Sequence, residues 1–211
     1  MSCQSSEVNC AYTIYGNWFT NNTALIAGGA IKWDDVMPSN LANNTYLNNT
    51  AFYGSDIASY PINLIRNNSL SQNLTLDDEP IENVASGLPA NYTIRMELLD
   101  HYGQRVMSDS VSEITLVSDN SNATIPELYT STCSNGVCEL NANEWQVIGW
   151  PITTATVPIK INTNATDGRD VEKANDGYKS YNMSKEILVD LRACGIGEIT
   201  HGNICKLCEA N

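Results

Sequence analysis

The chain has 211 residues, enough for one large β-domain or two small ones, and its 42% hydrophobic content provides for a packed core. Lys and Arg total 11 against 24 Asp and Glu, and the resulting net charge of -13 repels phosphate backbones and anionic bilayer surfaces, which argues against nucleic-acid partners. No run of about 18 apolar residues offers a membrane span, and no basic-then-apolar leader opens the chain, so a secreted form is expected to be mature or a fragment.

The first 60 residues contain an internal repeat. Asn17-Trp18-Phe19-Thr20-Asn21-Asn22-Thr23-Ala24 recurs 27 residues later as Asn44-Thr45-Tyr46-Leu47-Asn48-Asn49-Thr50-Ala51. Each copy then reaches a small-residue pair and an isoleucine, Gly28-Gly29-Ala30-Ile31 and Gly54-Ser55-Asp56-Ile57, now 26 apart. A period in the twenties predicts stacked coils, because one coil cannot bury its own apolar face. Stacking places Phe19 over Tyr46 and Ile31 over Ile57 at a strand spacing of about 4.8 Å. Asn22 and Asn49 then form a hydrogen-bonded ladder at a corner, and Asn21 and Asn48 face solvent. A turn must separate Phe19 from Asn21, since the two share parity along a regular strand.

The landmarks Phe19-x-x-Asn22 and Gly28-Gly29-Ala30-Ile31 resemble the repeat of the polymorphic outer-membrane-protein family. The second copy departs from it, with Tyr46 for Phe and Gly54-Ser55-Asp56-Ile57 for the glycine pair. The resemblance covers about a quarter of the chain and implies a right-handed parallel β-helix used in surface adhesion. Similar coils occur in very large Asn-rich surface proteins of ciliates, followed by a sandwich-like stretch and a Cys-rich module, and this chain resembles that arrangement more.

Residues 62–90 are polar and poor in pattern, and read as a connector or irregular edge structure. From Asn91 the period is two. Tyr92, Ile94, Met96 and Leu98 alternate with Thr93, Arg95 and Glu97, which predicts a half-buried antiparallel strand. Further strands are expected at Ile114 to Leu116, Trp145 to Gly149, Val157 to Ile161 and Ile187 to Leu191. Turn residues recur between them, which favours a small β-sandwich. The best helical pattern is short, Val171 to Tyr178.

The seven cysteines fall in tight local groups, as in disulfide-bonded secreted chains. Cys133–Cys138 and Cys194–Cys205 are expected as pairs, and Cys3–Cys10 as a third, all closing short loops. Ser134-Asn135-Gly136 is a strong turn signal between the first two. Cys194-Gly-Ile-Gly followed by Cys205-Lys-Leu-Cys208 resembles the first half of a growth-factor-receptor-like module. That resemblance also implies the Cys194–Cys205 pair and sends Cys208 to a cysteine further on. No such cysteine follows in the sequence, so either the module is cut and Cys208 pairs with residues beyond it, or Cys208 is the candidate for a bond to another chain. A zinc site is the competing reading of Cys194, Cys205 and Cys208, with His201 as fourth ligand.

Asparagine is the compositional anomaly. With 26 Asn, 18 Ser and 17 Thr, chance gives about four N-x-[ST] acceptors. The chain has nine, at Asn21, Asn43, Asn48, Asn67, Asn73, Asn91, Asn122, Asn164 and Asn182. This excess points to N-glycosylation in a secretory pathway.

Catalytic signals are weak. Asp34-Asp35 and Asp77-Asp78-Glu79 are the candidate carboxylates of a polysaccharide-cleaving site, but adjacent carboxylates on a strand point to opposite faces. His101 and His201 both lie in expected turns, and no nucleophile elbow or phosphate loop accompanies them. An acidic turn at Asp119-Asn120 offers calcium only a partial ligand set. The expectation is an all-β chain with a β-helix-like segment at 1–62, a β-sandwich at 63–193 and a Cys-rich partial module at 194–211. It carries N-linked glycans and no cofactor or metal, and serves as a non-enzymatic extracellular or cell-surface building block that self-associates head to tail. The alternative is an adhesin or receptor ectodomain.

Overall fold

The computed structural model describes residues 13–34, 37–67, 79–149, 156–166 and 182–208. Every helix-or-strand element in them is a strand. The helical pattern at 171–178, Asn73, Cys3 and Cys10 lie outside the described residues.

Strands β1 (Trp18–Thr20), β2 (Ile31–Lys32), β3 (Thr45–Leu47) and β4 (Ile57–Ala58) come from the repeat. β1 pairs with β3 and β2 with β4, both in parallel, with Phe19 opposite Tyr46 and Ile31 opposite Ile57. Parallel bridges Thr13–Asn40, Thr23–Thr50 and Ala27–Tyr53 extend the same two passes. The step from a separation of 27 to 26 falls between the last two bridges, where Leu25-Ile26 faces the single residue Phe52. Phe19 stacks on Tyr46 with ring centroids 5.4 Å apart, a pairing worth about 1 kcal/mol beyond its buried area. Around them Ile31, Trp33 and Tyr60 form a small core with Ile14, Leu41, Ile57 and Tyr102.

β5 (Pro61–Arg66) leaves the second pass and begins the larger unit. It is followed by β6 (Ile81–Ala85), β7 (Ile94–Asp100), β8 (Glu113–Val117), β9 (Ala123–Thr124) and β10 (Tyr129–Thr132). Next come β11 (Val137–Leu140), β12 (Ile148–Gly149), β13 (Thr156–Thr166) and β14 (Asn182–Arg192). A five-stranded sheet runs β10-β8-β13-β14-β6 and a three-stranded one β11-β7-β5. Only the β14–β6 pair within them is parallel. Both sheets feed one core: Leu64, Ile94, Met96, Leu98 and Leu140 from the smaller, Ile114, Leu116, Ile159, Ile161, Ile187 and Val189 from the larger. Trp145 is fully buried between them, and its Nε1 donates to the Tyr92 carbonyl at 2.7 Å, as a buried indole requires.

In their described part, residues 62–90 form irregular edge structure and not a connector: β5 and β6 each lie at the edge of a sheet and pair with a shift in register. One expectation needs correction. Glu97, expected on an open face of β7, is buried. Asn67 Nδ2 donates to it at 2.7 Å and the Arg105 guanidinium lies 3.6 Å away, so the outer face of β7 is covered there by polar side chains.

The tail folds into an antiparallel hairpin of β15 (Glu198–His201) and β16 (Ile204–Leu207). It docks where Cys205 N donates to Ser86 O at 2.8 Å. Gly87 has φ +76, and a Cβ there would sit 2.5 Å from Ile204 Cγ2, so only glycine permits this contact.

Asp100 joins the repeat to the larger unit. It is 2% exposed and its oxygens accept from Ser59 N at 3.1 Å, Tyr102 N at 2.8 Å and Gln104 N at 2.9 Å. Gln104 Nε2 in turn donates to Ile57 O at 2.9 Å. A buried carboxylate surrounded by N–H donors needs no cationic partner.

Candidate functional site

Each pass turns at three left-handed positions that match across the repeat. These are Gly16 and Asn43 (φ 67 and 57), Asn21 and Asn48 (φ 55 and 54), and Gly28 and Gly54 (φ 62 and 59). Glycine and asparagine are the residues that visit this region at low cost. The turn required between Phe19 and Asn21 is therefore at Asn21 itself, and Asn21 and Asn48 are both exposed. Gly29 serves a different purpose: a Cβ there would lie 2.1 Å from Ser55 O, so a side chain would push the passes apart.

The expected ladder is present. Asn22 N and Nδ2 both donate to Asn49 Oδ1 at 3.0 Å. Asn49 Nδ2 continues to Phe19 O and Asp56 Oδ1, each at 3.0 Å. A second ladder was not anticipated. Asn17 N donates to Asn44 Oδ1 at 2.9 Å, and Asn44 Nδ2 to Ile14 O and Leu41 O at 2.7 and 2.8 Å. The sequence carries its signal, since Asn17 and Asn44 open the two copies of the repeat.

The sequon asparagines differ in how free their amide nitrogens are. Asn21, Asn48, Asn91 and Asn122 are exposed. Asn43 Nδ2 donates to Tyr15 OH at 2.6 Å, and the half-buried Asn67 is held by Glu97. Asn164 is exposed, and its Oδ1 accepts from Glu113 N at 2.7 Å. Asn182 lies at the start of β14.

Two disulfides form as expected, Cys133–Cys138 and Cys194–Cys205, and Cys208 is an exposed free thiol. Cys194, Glu198 and Cys205 lie within 4.8 Å of one another. Both sulfurs are spent in one disulfide, so they do not form the thiolate set zinc needs. Glu198 instead makes a two-pronged pair with Arg192, Oε1 to Nη2 and Oε2 to Nη1, both 2.7 Å, and accepts from Gly195 N at 2.7 Å. The Arg192 hydrogen bonds, then that of Gly195, lower its pKa to about 2. The same pairing raises Arg192.

The catalytic candidates do not converge among the described residues. Asp34 is exposed and pairs with Lys32 at 2.6 Å. His101 stacks edge-on against Trp33, and His201 is exposed on β15. Asp35, Asp77 and Asp78 lie outside the described residues. A polar groove of about 490 Å³ opens beside β7 and β11, lined by Arg95, Arg105, Ser131, Ser134, Glu139 and Asn141 among others. Arg95 reaches Glu139 at 2.5 Å.

The two passes also expose large apolar side chains. Trp18 is 76% exposed, Leu25 91% and Phe52 53%. Leu25 and Phe52 occupy equivalent places in the repeat.

No protein-family model matches the chain, and no curated protein does. Among solved structures it is similar to one described as the crystal structure of the S-layer protein SbsC domains 4 and 5. The identity is 16% and the TM-score 0.28, over 65% of this chain and 56% of that one.

Proposed function

We propose that this chain is a structural glycoprotein, a secreted building block of a cell-surface coat, appendage or filament that grows by self-association of copies. In this reading the two paired passes are a short β-helix segment, and the two sheets behind them a β-sandwich. The observation that carries it is the repeat itself: two passes in parallel register, held by asparagine ladders, with bonding groups left over on the second pass. A stack of coils without a cap is a template for further strands. Two disulfides and nine sequons support an oxidising, glycosylating route to the cell exterior. Sugars at the exposed sequons would keep lateral faces from aggregating and leave the stacking direction open.

Electron microscopy of the native material tests the proposal. Ordered filaments or sheets are expected, and dispersed single particles at all concentrations would refute it. A binding module is the second reading, favoured by the groove between Arg95 and Asn141. That reading predicts that Arg105→Ala removes binding to an immobilised glycan panel.

A further inference from the structure

We infer that the outer edge of the second pass, Asn44 to Phe52, is the docking surface for the first pass of a second copy of this chain; the inference rests on the self-association reading and names the surface that carries it. Four of the first-pass backbone amides that hold the second pass lie between Asn17 and Ala24. Asn17 N donates to Asn44 Oδ1 at 2.9 Å and Asn22 N to Asn49 Oδ1 at 3.0 Å. Asn21 N donates to Leu47 O and Ala24 N to Thr50 O, both at 2.9 Å. The four equivalent amides of the second pass, Asn44, Asn48, Asn49 and Ala51, donate to nothing among the described residues. Their matching acceptors exist on the first pass: Asn17 Oδ1, the Thr20 carbonyl, Asn22 Oδ1 and the Thr23 carbonyl. The two asparagine oxygens accept no bond among the described residues. One copy thus ends in the donors that the next copy's first pass is built to receive.

A second, apolar feature gives the same register. Leu25 sits over Phe52 within one chain, as Ala24 N bonds Thr50 O and Tyr53 N bonds Ile26 O at 3.2 Å. A copy added at the repeat distance brings its own Leu25 against Phe52, which buries two exposed side chains in a continuous ridge. The contact is head to tail and uses two different surfaces, so it propagates and does not close on itself by two-fold symmetry. It is also bounded. Gln104 already occupies Ile57 O, so the β4 side is closed by the loop after β7. The incoming pass therefore bonds along Asn44 to Phe52 alone.

Charges at the two apolar corners test this without touching the core. Phe52→Lys blocks the donor end and Leu25→Lys the acceptor end, and both sites are exposed. The secreted full chain is measured by analytical ultracentrifugation, with thermal unfolding to confirm the fold. If either lysine variant unfolds early, Phe52→Ser and Leu25→Ser replace them. We expect concentration-dependent assembly of the wild type and at least tenfold weaker self-association for each variant. An equimolar mixture of the two should recover dimers and nothing longer, because each partner retains one competent end. Variants that assemble like the wild type would overturn the surface while leaving self-association intact. A mixture that stays monomeric would overturn the head-to-tail arrangement. A wild type that is monomeric throughout would instead remove the parent reading.

Discussion

Replacing Asn49 by Ala is the most direct probe of how the passes are held together. Asn49 is 6% exposed and its amide takes part in four hydrogen bonds: two accepted from Asn22 and two donated, to Phe19 O and Asp56. A net hydrogen bond contributes about 0.5–1.5 kcal/mol, and a buried partner left unmade costs about 1–3 kcal/mol. The four share one side chain and do not add fully, so the expected loss is about 2–4 kcal/mol. Asn22→Ala removes one of those bonds from an exposed residue and should cost about 1 kcal/mol or less. Both variants keep their neighbouring sequons, Asn48-x-Thr50 and Asn21-x-Thr23. Urea unfolding followed by tryptophan fluorescence reads the difference. With a slope of about 2 kcal/mol per molar, the Asn49→Ala midpoint should fall by about 1–2 M. Equal losses for the two variants, or a loss below about 0.5 kcal/mol for Asn49→Ala, would refute the ladder as the coil's main support.

Gly29→Ala should prevent the passes from pairing, since the new Cβ lies 2.1 Å from Ser55 O; the check is loss of protease resistance in the first 60 residues. The double variant Cys133→Ala/Cys138→Ala opens a loop of separation 5 and should lower stability by about 2 kcal/mol, measured by urea unfolding under non-reducing conditions. Glu198 has a lowered pKa, so its contribution is present above the unfolded value near 4.3 and is lost as pH falls through about 2. Acid unfolding of the β15–β16 hairpin should therefore steepen below pH 4.5, and Glu198→Gln should flatten that dependence. Site-resolved mass spectrometry should find sugar at Asn21, Asn48, Asn91 and Asn122 and least at Asn67, whose amide is held by Glu97; an unglycosylated chain from a secretory host would sink this expectation.

The parallel pairing of the two repeat copies was legible because its constraints are local and recur. Left-handed corners demand Gly or Asn, and stacking demands them at one spacing, so Asn21, Asn48, Gly28 and Gly54 announce themselves. The long strands β13 and β14 were legible for the same kind of reason, alternating buried Ile159, Ile161, Ile187 and Val189 with outward residues. β6 was not. Its buried residues are Ile81, Val84 and Ala85, with Asn83 at φ 63, so the bend breaks the period of two. Its partner, β14, is also about a hundred residues away and parallel to it, a pairing that no local pattern encodes. The burial of Glu97 was hidden likewise, because Asn67 reaches it from 30 residues away and Arg105 only as the chain folds back after β7.

The junction at Asp100 separates two kinds of architecture that respond differently to gene duplication. The backbone pairing of the passes runs along the stack, so one more copy of the 27-residue segment would add a pass about 4.8 Å thick, although Trp33 of the first pass now also meets Tyr102. The new last pass would again meet Asp100 and Gln104. A closed core such as that around Trp145 has no such freedom, since every strand there faces several others. Under the proposed self-association the paired passes would act as an adjustable spacer, and each inserted pass would carry a further copy of the proposed docking groups.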